Sequence, residues 1–182
     1  MEAAIVLTDS GKEFLRKMCY CVPEFDDATN MDTEFWRDFM FYSFTGLLDE
    51  SIEQIEVYRE DIGYETQAKV SLEQMEKYAK LTFGVVLPDL KPKYEEMQEG
   101  QTAFYFEDGY YYIGCSDFPD FDFTYKDYTT VDEMDSKSII VDYGVSFEGE
   151  EDYGTVSFKL SPADNENGFI ICSKQWIIKN NE

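Results

Sequence analysis

Apolar and polar positions along this chain follow two different periods, and the change falls near residue 100. Before it the spacing is mostly helical. Thr8-Asp9-Ser10 followed by Glu13 carries a capping-box signature, and the helix it opens runs through Phe14, Leu15 and Met18 towards Cys21, with Pro23 ending it. A second helix starts near Asp32 or Thr33 and stops around Gly46. Its apolar positions follow the i, i+3, i+4, i+7 pattern, yet Phe35, Trp36, Phe39, Met40, Phe41 and Phe44 together cover more than half its circumference. A helix that apolar is buried on more than one side, so it is expected at the centre of the core. Ser71-x-x-Gln74 is a further capping signal, for a helix carrying Leu72, Met75, Tyr78, Ala79 and Leu81 that ends at Gly84. Between the second and third helices, Gln54-Ile-Glu-Val-Tyr58 and residues 66–70 read as short strands. Residues 85–92 carry two prolines and read as extended or looped.

Beyond residue 100 the period is two. Phe104-Tyr-Phe-Glu107 and Tyr110-Tyr-Tyr-Ile113 flank Asp108-Gly109, a pair that specifies a two-residue type I′ hairpin. Ile139, Val141, Tyr143, Val145 and Phe147 line one face of a later run. After the acidic turn at 148–152, Val156, Phe158 and Leu160 alternate with Thr155, Ser157 and Lys159. A turn at 162–168 leads to a closing strand over 169–178. These runs predict an antiparallel sheet with one packed and one wetter face. The expected class is α+β: a single domain over 1–182, helix-rich in 1–100, with its N-terminal helices packed on one face of a C-terminal antiparallel sheet in 101–182.

Composition narrows the chemistry. The 182 residues contain 39 Asp and Glu, 15 Lys and Arg, and no His, for a formal charge of −24. Phosphate contacts need clustered cations, so nucleic acid is excluded as a non-specific partner, and direct membrane insertion is not expected. The absence of histidine removes Ser-His-Asp and Cys-His catalysis and histidine metal sites. Charge does not segregate. Residues 1–100 carry 22 acids and 10 bases, and residues 101–182 carry 17 acids and 5 bases, so each part nets −12. A chain in which 43% of residues are hydrophobic and 17% aromatic is no disordered acidic tail.

The first apolar run, residues 3–7, follows Glu2 and resembles neither a signal peptide nor a membrane span. A chain complete as written is therefore expected in the cytoplasm. Cys19, Cys21, Cys115 and Cys172 do not form a zinc pattern. Buried free thiols are the expectation, with a Cys115–Cys172 disulfide left open for an exported protein.

Phe35-Trp-Arg-Asp-Phe39, Lys80-Leu-Thr-Phe-Gly84, Tyr110-Tyr-Tyr-Ile-Gly-Cys-Ser-Asp-Phe-Pro119 and Asp164-Asn-Glu-Asn-Gly-Phe169 resemble the soluble portion of uncharacterised lipoproteins from gut-dwelling Gram-positive bacteria. That resemblance implies export, an N-terminal lipid anchor and an extracellular or cell-surface location. The start of this chain departs from it, with neither signal peptide nor lipid-attachment cysteine. In layout, helices followed by an antiparallel sheet, the chain is also similar to secreted inhibitors of cell-wall endopeptidases.

The candidate binding residues are Tyr110, Tyr112, Asp117, Asp120 and Asp122. Alternation along the strand places Tyr110 and Tyr112 on the face opposite Tyr111. Exposed tyrosines beside an acidic 116–122 loop make a surface for a protein or a glycan, because tyrosine offers rigid amphipathic area. Cross-strand packing with Phe104 and Phe106 is the competing, purely structural explanation. The 117–122 and 164–168 acidic clusters lack the order of a calcium loop and are expected to be solvated turns. No pair of carboxylates stands out for glycoside hydrolysis, and no histidine exists to activate a cysteine, so no catalytic residue, metal or cofactor is assigned. The expected function is a non-enzymatic surface module binding a protein or glycan. An acidic inhibitor or immunity protein that blocks a cationic partner is the alternative. The two acidic connections, 117–122 and 148–152, are expected at opposite ends of the sheet, because turns on successive hairpins alternate.

Overall fold

A computed structural model describes residues 5–44, 51–116, 119–133 and 136–179. The class is α+β, with three α-helices and two antiparallel four-stranded sheets among these residues. Helix α1 spans Asp9–Cys21, α2 Thr33–Phe44 and α3 Leu72–Phe83. Strands β1 (Glu53–Arg59), β2 (Gly63–Ser71), β3 (Phe104–Glu107) and β4 (Tyr110–Gly114) form the first sheet in the order β1-β2-β4-β3. Strands β5 (Phe121–Glu133), β6 (Ser136–Phe147), β7 (Glu150–Pro162) and β8 (Phe169–Ile178) form the second as a meander. The 104–113 hairpin therefore does not join the C-terminal sheet, as alternation alone suggested. It pairs with β2, in the register Ala68 to Ile113 and Val70 to Tyr111.

The helices lie against both sheets: α2 meets β4, α1 meets β5, and α3 meets both β2 and β8. This explains the excess apolar surface of α2. Phe35, Trp36, Phe39, Met40 and Phe44 are all buried, and their rings meet Phe83 of α3 and Tyr78 beside it. One hydrophobic cluster runs from Ala68, Val70, Tyr111 and Ile113 of the first sheet through the helices to Val141, Phe158 and Leu160 of the second.

Local signals act as physical chemistry requires. Thr8 caps α1 by accepting from the Gly11 N–H at 3.1 Å, but Glu13 does not complete a box; it pairs with Arg16 at 2.7 Å. Ser71 and Gln74 do form the reciprocal box on α3, and Gly84 ends that helix at φ +70°. At the β3–β4 turn, Asp108 and Gly109 have φ of +50° and +85°, both positive as a type I′ turn demands. Gly109→Val should therefore destabilise more than Gly109→Asn, since a β-branched side chain resists positive φ and Asn tolerates it. Equal denaturation midpoints for the two variants would contradict this.

Candidate functional site

The β3–β4 hairpin turns one aromatic set inward and another outward. Tyr111 is fully buried, packed on Phe106 (ring centroids 4.9 Å) and Phe104 (6.4 Å), and its hydroxyl donates to the Leu90 carbonyl at 2.8 Å. The cross-strand explanation thus accounts for Tyr111. Tyr112 faces the other way and stacks on Tyr105 of β3, centroids 4.8 Å apart and planes within 9°. Tyr94 meets Tyr105 edge-on at 5.1 Å, extending the row. Tyr110, 37% exposed, lies under the Lys69 ammonium at 4.6 Å, and Lys69 also pairs with Glu53 at 3.4 Å. Outward tyrosines with an adjacent cation–carboxylate pair can stack on a flat apolar face and hydrogen-bond at its edge.

Sequence reasoning missed Tyr94 and Tyr105. The period-two pattern that selects Tyr110 and Tyr112 on β4 selects Tyr105 on β3 by the same logic. Tyr94 lies in a connection with no strand pattern, and nothing in its surroundings points to this face.

That connection is latched to the sheet by a buried polar network. Arg59, 3% exposed, pairs with Asp61 at 2.7 Å and Glu65 at 3.3 Å, and donates to the Gln101 carbonyl at 2.6 Å. Glu65 in turn accepts from the Ala103 N–H at 3.0 Å and from Gln67 at 2.8 Å, while the Tyr105 hydroxyl donates to Gln67 at 3.2 Å. Asp61 accepts from the Gly100 N–H at 2.7 Å. That amide, with help from Arg59, holds the Asp61 carboxyl below its usual range. Burial pushes the Tyr105 hydroxyl up to about 12, so it stays a donor across physiological pH. Gly114 is required here, because a Cβ would meet the Glu65 carboxylate, Thr102 at 2.6 Å and the Ala103 nitrogen at 2.9 Å.

The acidic residues separate from the tyrosines. Asp117 lies outside the described residues. Asp120 and Asp122 go with the second sheet, not the first: Asp120 immediately precedes β5 and Asp122 belongs to it, opposite Ser146. The Glu148 N–H donates to the Asp120 carbonyl at 3.4 Å, so the 148–152 turn and the lead into β5 sit side by side on one rim. The expectation of opposite ends is overturned. It treated 117–122 as a hairpin turn, whereas residues 121–133 form a strand that antiparallel pairing starts where β6 ends. Two of the lysines near this rim, Lys126 and Lys179, both pair with Asp152, at 3.8 and 2.5 Å. Among the described residues, no group of three or more His, Cys, Asp or Glu is placed to hold a metal ion.

All four cysteines are free, so no Cys115–Cys172 disulfide forms. Cys19 and Cys21 are buried, Cys115 and Cys172 half-buried. Burial raises the Cys19 and Cys21 thiols, the latter to about 12, which makes both poor nucleophiles.

Lys174 is the most unusual charged group. It lies on β8, is 3% exposed, and donates to the Cys19 carbonyl at 2.6 Å and to the Val22 carbonyl, completing the end of α1, whose last turn has no basic residue. Burial lowers its pKa from 10.5 to about 8. Between pH 8 and 10.5 the unfolded chain then binds a proton that the fold has released, so this group's contribution to stability rises with pH, by up to about 3 kcal/mol. The buried thiols act oppositely: above about pH 9 the unfolded chain loses protons that the fold keeps. Wild type should therefore gain stability relative to Lys174→Met as pH goes from 8 to 10, both proteins carrying the same cysteines. A pH-independent difference in denaturation midpoint would contradict the buried ammonium.

No family model, no curated protein and no solved structure matches this chain. Among the described residues, no helix is long and apolar enough to cross a membrane.

Proposed function

We propose that this protein is a non-enzymatic binding module of a bacterial cell surface, recognising a protein or glycan through the outer face of its first sheet. The observation that carries this reading is an outer face with exposed Tyr94 and Tyr110 and half-buried Tyr112, backed by Tyr105, which is only 7% exposed, and with Lys69 over Tyr110. Its two inner rings are held rigid, Tyr105 by Gln67 and by stacking on Tyr112, so little entropy is lost when a partner docks. The surface location rests on the resemblance to exported lipoproteins. The double variant Tyr110→Ala/Tyr112→Ala tests the reading, with the labelled protein applied to a glycan array and to intact Gram-positive cells. Loss of binding is expected in a variant that still unfolds cooperatively, with only a small drop in melting temperature from the lost stack on Tyr105. Equal binding by variant and wild type would remove the tyrosine face from the function.

An acidic inhibitor of a cationic protein is the second reading, and the shared rim of Asp120, Asp122 and residues 148–152 favours it. It ranks second because acids also populate α1, α2, the β1–β2 hairpin and the 89–99 connection, so the rim is not the only acidic region. A toxin gene beside this one, together with association that slows steeply as salt rises, would reverse the order.

A further inference from the structure

A cavity of about 430 Å³ opens between α2 and the edge of β3, lined by Arg37, Phe41, Lys93, Met97, Phe104 and Ile113 among others. That volume falls in the range of ligand sites, and its lining mixes aromatic, aliphatic and charged side chains. Strand pairing dictates what the floor of the cavity offers. The Cys115 N–H donates to the Thr66 carbonyl and the Gly114 N–H to the Ala103 carbonyl, both at 2.8 Å. On β4 the main-chain groups of 111 and 113 therefore point to β2, and those of 110, 112 and 114 point to β3. On β3 the groups of 103 and 105 point back to β4, which turns those of Phe104 and Phe106 to the open edge. The Phe106 N–H is taken by the Pro92 carbonyl at 2.8 Å. The Phe104 N–H and C=O, among the described residues, have no such partner and face the cavity.

We infer that this cavity is a peptide-binding groove, in which one residue of an extended segment pairs with Phe104 as an added strand and places an apolar side chain against the partly exposed Phe41 and Met97. A donor and an acceptor on one residue, at strand spacing and beside a side-chain pocket, are what strand addition uses. The Phe106–Pro92 bond stops the pairing after that residue, so the anchor is short. The lining itself is balanced, Asp38 and Glu96 against Arg37 and Lys93, so the preference for a segment with Lys or Arg flanking the apolar residue rests on the overall charge of −24. The Arg59 network holds Gln101 and Ala103, and with them this wall of the groove. The inference goes beyond the binding-module reading, since the groove is a different surface from the tyrosine face.

A phage-displayed library of random linear peptides is the probe. Enriched peptides should share an apolar residue flanked by basic ones, and a synthetic copy should slow hydrogen exchange at the Phe104 amide. Phe104→Pro, which removes an outward N–H that the sheet does not use, should abolish binding. Because that variant also loses a packed ring, the peptide is N-methylated at its apolar residue as well. This leaves the protein intact and should weaken binding roughly tenfold, the effect of one unmade hydrogen bond. No enrichment, unchanged Phe104 exchange, or indifference to N-methylation would each overturn the groove. Binding lost in Tyr110→Ala/Tyr112→Ala with Phe104 exchange unaffected would overturn it while leaving the module reading standing. Loss of glycan-array and cell binding bears on that reading alone.

Discussion

Replacing Phe39 by Ala is expected to cost about 3–5 kcal/mol, the upper range for a large-to-small change in a core. Phe39 is completely buried, 5.0 Å ring to ring from Phe83, 6.0 Å from Trp36 and 6.5 Å from Phe35. These rings belong to two helices held between two sheets, so little can collapse into the space left behind. The lost transfer energy and the cavity therefore both count in full. Chemical denaturation measures the effect, with a substitution at the 89% exposed Val86 as a control expected near zero. A Phe39→Ala midpoint equal to that control's would mean that the helix is not central to the core.

Arg59→Met should be as damaging by a different route. It removes one partner of a buried ionic network and leaves Glu65, 9% exposed, without its cation. Breaking a buried pair in this way typically costs about 3–5 kcal/mol, because the surviving charge is desolvated and unpaired. The effect should also be local. The Gln101 carbonyl loses its donor, and Glu65 and Asp61, which hold the Ala103 and Gly100 amides, lose the cation that fixes them. Hydrogen exchange at those two amides should rise more than at Val141 in the second sheet. The double variant Arg59→Met/Glu65→Gln should recover part of the loss, since no charge is then stranded at position 65 while a side-chain oxygen still accepts from the Ala103 amide. A double variant as unstable as the single would argue that packing, not charge, sets the cost.

Elements with strong local chemistry were readable from the chain alone. The caps at Thr8 and Ser71, the stop at Gly84, the Asp108-Gly109 turn and the six-residue apolar stripe of α2 each depend on residues within a turn or two of one another. Their free energies are set before any long-range contact forms. β5 escaped notice because its run, Phe-Asp-Phe-Thr-Tyr-Lys-Asp-Tyr-Thr-Thr, begins inside an acidic stretch that reads as a loop, and a bulge between Tyr125 and Asp127 breaks its alternation. Missing that strand placed the two acidic connections at opposite ends of the sheet.

The partition of strands into two sheets could not be read, because alternation identifies a strand's buried face but not the neighbour it pairs with. Only packing decides that the hairpin at 104–113 joins β2 and that the helices are covered on both sides. Buried ions were equally hidden. Arg59 and Lys174 look like surface residues in a sequence. One is buried by a connection whose amides and carbonyl complete its network, the other by the end of a helix some 150 residues earlier in the chain. By itself the sequence determined the class, the central helix, the turn and the fact that Tyr111 faces opposite Tyr110 and Tyr112, since each follows from local geometry and a period. The tertiary structure decided the acidic rim, the tyrosine row beyond β4, the buried cations and the open edge at Phe104, since each depends on contacts between segments far apart in the chain.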